Sequence, residues 1–399
     1  MRLDWDLINE IIELDARARM NVPKTKRFDY EGIFKDSKMF TGIAGPKGAG
    51  KTVMLRQKLL ETENALYISL DSVEIEDLFQ VVKYFHEERG VKIFLFDEIH
   101  YYRGWARDLK KIYDFLNVKV YFTSSVSLHV YKTSYDLGRR VKIKKLYPFS
   151  LREYLFFKEH VLEKGIKIED LFDKKIMLKL TKYDYLFPTY ISGGLFPAQL
   201  EDNSKEKFEG IIKTVIERDI PIAYKFSFDD VLNLNRMLKF IATSPVEDIS
   251  YSSLSKNLGI TKYSVMKYVK ALEDAFVLFV VEPKGTNIRR EPKILMFPPF
   301  REILAKQYDF LTGSVREDFF ILSMRMAGYK EVYYLKGRKG EKTPDYYIPS
   351  KRLVLEVGGR SKSLSQFKFS GKDVKKIILT YPGTIREGTA PLVATGFLK

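Results

Sequence analysis

Continuous apolar runs alternate with segments of helical spacing in the first part of the chain. Met39-Phe-Thr-Gly-Ile-Ala44, Ala65-Leu-Tyr-Ile-Ser-Leu70, Val91-Lys-Ile-Phe-Leu-Phe-Asp-Glu98 and Val118-Lys-Val-Tyr-Phe-Thr-Ser-Ser125 read as strands, the last two with polar ends. Runs of this kind suit a parallel sheet covered on both faces, where polar positions have no solvated side to alternate onto. Val141-Lys-Ile-Lys-Lys-Leu146 is a further strand, and Thr52 to Leu60 has helical spacing. Upstream, Trp5, Leu7, Ile8, Ile11, Ile12 and Leu14 fall close to a helical period within Asp4 to Arg19. Pro23 and the charged run Lys24-Thr-Lys-Arg27 break that helix.

Further on, helices are expected around Leu151 to Glu163 and Glu206 to Arg218, with turns at Pro188 and Gly193-Gly194. Ser252 to Leu258 reads as a short helix, Gly259-Ile-Thr-Lys262 as a turn, and Tyr263 to Ala275 as a longer amphipathic helix. Phe276 to Val281 follows as a strand. This order is a winged helix-turn-helix pattern. Val265, Val269 and Leu272 would face its core, and Lys262, Tyr263, Lys267 and Lys270 its outer face. Those four are candidate nucleic-acid contacts; the other reading makes the module a packing or dimerisation unit. The tail has a helix over Val315 to Met326, a strand entered at Tyr346 and another over Leu353 to Val357. The expected divisions are an N-terminal helical segment (1–38), an α/β core (39–150), a helical lid (151–244), a winged helix (245–299) and a C-terminal α/β domain (300–399).

The chemistry sits where strands end. Gly45-Pro-Lys-Gly-Ala-Gly-Lys-Thr52 is a complete G-x-x-x-x-G-K-[ST] loop between a strand and a helix. Its glycines let backbone N–H groups wrap around phosphates at a helix start. Gly45, Pro46, Lys47, Gly48, Ala49, Gly50, Lys51 and Thr52 are therefore the expected ATP-binding set. Lys51 would reach the β- and γ-phosphates and Thr52 would hold Mg²⁺. Asp97, ending an apolar strand, fits the second Mg²⁺ ligand, and Glu98 fits the base that orients the attacking water. Thr123 to Ser125 end the next strand at a place suited to sensing the γ-phosphate, with Thr123 counted in the nucleotide site. Arg139, with Arg140 next, is the candidate transition-state finger. A finger supplied by a neighbouring copy implies a homo-oligomer; one acting within its own chain does not.

Net charge is +16, from 68 Lys+Arg against 52 Asp+Glu over 399 residues. Residues 201 to 399 hold 34 of the basic and 24 of the acidic residues, so the second half carries more of the excess. Such a balance favours a polyanion, most simply DNA; a solvated, Lys-rich thermophile surface is the other reading. Cysteine is absent, which excludes disulfides, Cys-ligated zinc and thiol nucleophiles. No apolar run is long enough to span a membrane, and Met1-Arg-Leu-Asp-Trp-Asp6 has no signal-peptide pattern, so a cytoplasmic location is expected.

A second set of acids lies in the tail. Pro344-Asp345, eleven residues before Glu356, resembles the PD-(D/E)xK nuclease motif. Asp345 and Glu356, with Glu317 or Asp318 from a helix, would then hold a metal ion that activates water. Gly358 stands where that motif has Lys; Lys362 is the candidate to reach in, and Gln366 falls at the place of a further motif.

Taken together, the chain resembles archaeal and bacterial AAA-type ATPases in which an ATPase domain precedes a C-terminal domain of unknown function. The resemblance rests on Gly45 to Thr52, Asp97-Glu-Ile-His100 with Trp105 and Lys110, and Gly138-Arg139. It also rests on Pro148-Phe-Ser-Leu-Arg-Glu-Tyr154, the winged helix, and Pro344-Asp345 with Glu356-Val-Gly-Gly359. It implies an additional-strand, RecA-like α/β core using ATP and Mg²⁺, then a winged helix and a restriction-endonuclease-like tail. Three functions stay open: a DNA-coupled ATPase, an ATP-regulated nuclease, and an ATP-driven signalling switch whose C-terminal domain binds protein.

Overall fold

The five apolar runs become neighbouring strands of one parallel sheet in the computed structural model. It describes residues 4–35, 37–127, 137–200, 205–285, 291–305, 313–336, 343–367 and 373–399. The strands are β1 (Phe40–Ala44), β2 (Ala65–Ser69), β3 (Ile93–Asp97), β4 (Lys119–Ser124) and β5 (Val141–Lys145), in the order β2-β3-β4-β1-β5. Every pairing is parallel. β4 thus lies between β1 and β3, the additional strand that the resemblance implies. Phe94, Phe96, Val120 and Phe122 are fully buried, as continuous apolar strands require.

The chain divides into two compact units. Unit 1 is Met1–Pro148 with Glu217–Phe226 and Asp274–Phe276, and unit 2 is the remainder. In unit 1, helix α1 (Trp5–Ala18) is capped by Asp4 and buries Ile8 and Ile11. Asp15 on α1 accepts the Tyr67 backbone N–H at 2.8 Å, tying the helix to β2. Helices α2 (Tyr30–Phe34), α3 (Lys51–Leu60), α4 (Leu78–Arg89) and α5 (Trp105–Phe115) complete the layers around the sheet. The charged run before α2 is not merely a helix breaker. Arg27 is buried and donates to the carbonyls of Ala49 (3.0 Å), Tyr147 (3.1 Å) and Pro148 (3.0 Å), bracing the phosphate loop from behind.

In unit 2 the Pro-Phe-Ser-x-x-Glu-Tyr segment is a helix start. The Ser150 hydroxyl accepts the Glu153 N–H at 3.1 Å and Glu153 accepts the Ser150 N–H at 3.2 Å, a reciprocal capping box. That helix ends at Glu159, short of the expected Glu163, because His160 turns left-handed at φ 54°. The next expected helix is Lys205–Thr214, followed by a wide helical turn over Val215–Asp219. Tyr251–Leu258 and Lys262–Asp274 are helices joined through Gly259 at φ 67°. They precede an antiparallel hairpin of β6 (Leu278–Val281) and β7 (Lys293–Met296). A second sheet orders β12-β11-β10-β9-β8, with β8 (Tyr333–Tyr334), β9 (Tyr346–Ile348), β10 (Leu353–Gly358), β11 (Lys375–Thr380) and β12 (Thr389–Pro391). No helix among the described residues is long and apolar enough to cross a membrane.

Asp318 is a framework residue of unit 2. It is fully buried, pairs with fully buried Arg301, and accepts the Met296 N–H at 2.9 Å. Arg301 also donates to the Ile241 carbonyl at 2.8 Å. Removing one partner of such a pair strands a buried charge. Asp318→Ala should therefore lose about 3–5 kcal/mol, read as a fall in the urea midpoint of unit 2; a parental midpoint would contradict the assignment.

Candidate functional site

The phosphate loop leaves the C-terminal end of β1, at the edge of the sheet where ligands bind in open α/β folds. Gly45 is required by packing: a Cβ there would lie 2.0 Å from the Leu146 carbonyl oxygen. Gly48 and Gly50 take φ values of 86° and 89°, which L side chains rarely adopt. Gly50 ends the loop and α3 begins at Lys51, so the helix N-terminus faces the loop.

Four of the predicted residues meet there. Lys51 is buried; its Nζ donates to the carbonyls of Gly45 (3.0 Å) and Pro46 (3.2 Å) and lies 3.4 Å from Glu98 Oε1. The Thr52 hydroxyl lies close enough to the Asp97 carboxylate to favour its ionised form. Asp97 also accepts the Tyr67 hydroxyl at 2.8 Å and the Thr123 hydroxyl. Burial, and then the neighbouring Glu98, push Asp97 above the usual carboxylate range. A hydroxyl beside a carboxylate, both hard oxygens, fits Mg²⁺, which takes its other ligands from phosphate and water.

Glu98 sits just past β3 at φ 49°, its N–H donating to Thr123 Oγ1 at 2.8 Å. The Ser125 N–H donates to Glu98 Oε2 at 3.0 Å, and the His100 ring lies 3.3 Å from the same oxygen. This redistributes the expected roles. Thr123 is engaged with Asp97 and the Glu98 backbone, and Ser125 is the strand-end residue that touches the Glu98 carboxylate.

Other predicted residues are elsewhere. Val141 of β5 pairs with Phe40 at the start of β1, and the Phe40 N–H donates to the Arg140 carbonyl at 2.8 Å. Arg139 and Arg140 are thus at the opposite edge of the sheet, about 15 Å of strand from the loop. Arg139 is exposed and Arg140 is paired with Asp114 at 2.8 Å. Neither is a finger for the loop of its own chain. Lys262, Lys267 and Lys270 are partly exposed, each beside a carboxylate: Glu291, Asp230 (4.0 Å) and Glu273 (3.2 Å) respectively. Tyr263 is 78% exposed.

The tail acids do converge. The antiparallel register of β9 and β10 sets Asp345 beside Glu356, and Asp345 accepts the Val357 N–H at 2.8 Å. Glu317 approaches from the helix Gly313–Met326, accepting from Tyr346 and Lys293. Burial, with the Glu317 and Glu356 charges, pushes Asp345 up to about 8. Lys362 crosses Gly358, where a Cβ would lie 2.6 Å from its Cγ, and donates to Glu356 Oε1 at 2.5 Å. Among the described residues no group of three or more His, Cys, Asp or Glu is placed to hold a metal ion. The ammonium groups of Lys293 and Lys362 supply positive charge beside these acids. The side chain of Gln366 lies outside the described residues.

Sequence reasoning missed the polar residues that hold this edge together. Tyr67 lies within a strand run, and His100 was quoted only as part of Asp97-Glu-Ile-His100, with no role of its own. Asp219 is far away in sequence. It is fully buried in unit 1, accepting from the hydroxyls of Ser125 (2.8 Å) and Tyr101 (2.5 Å), with Lys47 Nζ 3.9 Å away. The pattern Glu217-Arg-Asp219 after an amphipathic helix was its only signal.

Residues 37–155 match the AAA domain family, and residues 184–297 match a domain of unknown function (DUF8612). The chain is 30% identical to the uncharacterized protein MJ1637 of Methanocaldococcus jannaschii, over 90% of its own length and 85% of that protein's. It is 26% identical to an uncharacterized protein of Haemophilus influenzae, spanning 63% of that relative's length and 62% of its own. Among solved structures, the Thermotoga maritima RuvB Holliday junction branch migration motor is 14% identical, with 73% of this chain and 92% of that chain covered, at a TM-score of 0.27. AMPPCP-bound DnaA from Aquifex aeolicus is also 14% identical, with 68% and 89% covered, at 0.23. Likeness at these scores carries no argument about function.

His100 gives the edge a pH signature. Burial is the main reason its pKa falls from 6.5 to about 4, with Lys51 and Lys47 adding to the fall and Asp219 opposing it. Between those values the unfolded chain binds a proton that the folded chain refuses. Stability should therefore drop as pH falls from about 6.5 to about 4, by on the order of 3 kcal/mol. His100→Gln should flatten that part of the stability profile; identical profiles for parent and variant would contradict the assignment.

Proposed function

The chain belongs to the family of MJ1637, with an AAA domain over residues 37–155; from that premise we propose a Mg²⁺-dependent ATPase that couples its nucleotide state to nucleic-acid binding. The observation that carries the reading is the convergence of Lys51, Thr52, Asp97 and Glu98 at one sheet edge. The loop N–H groups and Lys51 would bind the β- and γ-phosphates, and Thr52 and Asp97 would hold Mg²⁺, which would neutralise charge on the phosphate oxygens. Glu98 orients water for attack on the γ-phosphorus and accepts its proton. In this structure Glu98 faces Lys51, so phosphate binding must draw Lys51 away before Glu98 is free to face water. Arg139, exposed at the far edge, serves as a finger only in the site of a neighbouring copy, which makes the active form a homo-oligomer.

Nucleic acid is supported by the +16 charge and by the helix–turn–helix–hairpin order over residues 251–296. The ion pairs of Lys262, Lys267 and Lys270 are surface pairs worth about 0–1 kcal/mol each, weak enough for backbone phosphates to displace. A second reading, metal-dependent cleavage of nucleic acid by an endonuclease-like tail, is favoured by one observation: Lys362 reaches Glu356 across Gly358. The lysine absent from position 358 is thereby replaced from four residues on.

Lys51→Ala should abolish ATP binding or turnover. Glu98→Gln should keep binding and lower turnover by about 10²–10⁴-fold; parental turnover in that variant would show that Glu98 is not the base. DNA binding measured from low to high salt should weaken steeply as phosphate contacts are screened. Binding indifferent to salt would favour a protein partner in place of DNA. If the tail cleaves DNA, Glu356→Ala abolishes metal-dependent cleavage; cleavage surviving that change places the activity elsewhere.

A further inference from the structure

Residues 217–226 belong to unit 1, although the residues just before and after them belong to unit 2. Unit 1 holds this excursion through buried Ile220 and through polar contacts. Asp219 is fully buried and sits against the nucleotide edge, and the Tyr224 hydroxyl donates to Asp274 at 2.7 Å. The ring of Tyr101, which donates to Asp219, also lies under Arg218, whose guanidinium is 4.5 Å from the ring centroid.

Asp219 links Lys47 of the phosphate loop, through Ser125, to the expected base. Its Oδ2 accepts the Ser125 hydroxyl at 2.8 Å, and the backbone N–H of the same serine donates to Glu98 Oε2 at 3.0 Å. Glu98 lies 3.4 Å from Lys51 and Asp219 lies 3.9 Å from Lys47. Each loop lysine thus faces a carboxylate, and Ser125 bridges the two carboxylates. Both lysines belong to the loop whose N–H groups receive phosphate, so a polyphosphate competes with Glu98 for Lys51 and with Asp219 for Lys47 in one event. A buried carboxylate that loses its cation is destabilised where it sits, and the element carrying it is pushed to rearrange.

We propose that Asp219 is a positioning residue for ATP hydrolysis, which holds Ser125 and thereby Glu98, and is the point where nucleotide charge acts on the segment Val215–Tyr224. This deepens the ATPase reading and rests on it. The chain enters unit 1 through this segment and returns to unit 2 after it, so a shift of Asp219 has a covalent route out in both directions. The message carried is the charge of the bound phosphates, drawing Lys47 from one side of Asp219 while Ser125 and Tyr101 hold the other.

The test uses the full chain, with turnover and the affinity for a fluorescent non-hydrolysable ATP analogue measured separately. Asp219→Asn keeps the shape and removes the charge. Turnover should fall by about tenfold or more, while analogue affinity is equal to or tighter than the parent's, since Lys47 is no longer contested. Ser125→Ala should lower turnover similarly, and the double variant should be no slower than the slower single one, because the two act through one chain of contacts. In a Lys47→Gln background, Asp219→Asn should no longer change affinity. A purely structural role would weaken affinity and turnover together and track the loss of melting temperature. Turnover of Asp219→Asn within twofold of the parent, or multiplicative effects of the two single variants, overturns the inference while leaving the ATPase reading intact. A parent chain that binds no analogue overturns both.

Discussion

The parallel pairing of β4 with both β1 and β3 is the constraint on which the nucleotide edge depends. It brings the end of β1, where the loop leaves, and the end of β3, which carries Asp97 and Glu98, to the same side of the sheet. Between them the end of β4 supplies Thr123 and Ser125, which hold Asp97 and Glu98 in place. Without β4 in that position the lysine, the hydroxyl and the two carboxylates would be separate features of separate strands. The pairing itself rests on the buried aromatic and aliphatic residues of β3 and β4, which leave no polar face to compete for another register.

Local chemistry was legible where spacing alone determines it. The strand before the loop, the helix after it, the apolar strand before the acids and the two helices on either side of Gly259 are short-range patterns, and those elements form where they indicate. The helix ends were less legible. The stop at Glu159 depends on a left-handed His160, which no periodicity announces. Arg139 shows what happens when strand direction is not carried through: it precedes a strand parallel to β1, so it must lie at the edge away from the loop. Asp219 and Arg27 were hard to read for a different reason. One ends a short charged run, Glu217-Arg-Asp219, and the other is a base in a polar connection, and tertiary contact is what distinguishes them from solvated residues.

The tail illustrates how like charges are managed inside a protein. Asp345, Glu317 and Glu356 approach one another, and burial raises the cost of ionising them together. Lysines 293 and 362 offset that cost, and Asp318 is separated from the group by its own pairing with Arg301. Neighbouring acids in the sequence, Glu317 and Asp318, therefore have different partners: Lys293 and Tyr346 for one, Arg301 for the other. The same principle holds at the edge that carries the loop, where Glu98 and Asp219 each lie beside a loop lysine.

A crystal structure with Mg²⁺ and a non-hydrolysable ATP analogue tests the proposed exchange of lysine contacts from carboxylate to phosphate most directly. The account predicts Lys51 Nζ within hydrogen-bonding distance of the β- and γ-phosphate oxygens and separated from Glu98, with Thr52 and Asp97 at the metal and Lys47 turned from Asp219 toward phosphate. Nucleotide bound in the loop with the Lys51–Glu98 and Lys47–Asp219 contacts both intact would contradict it.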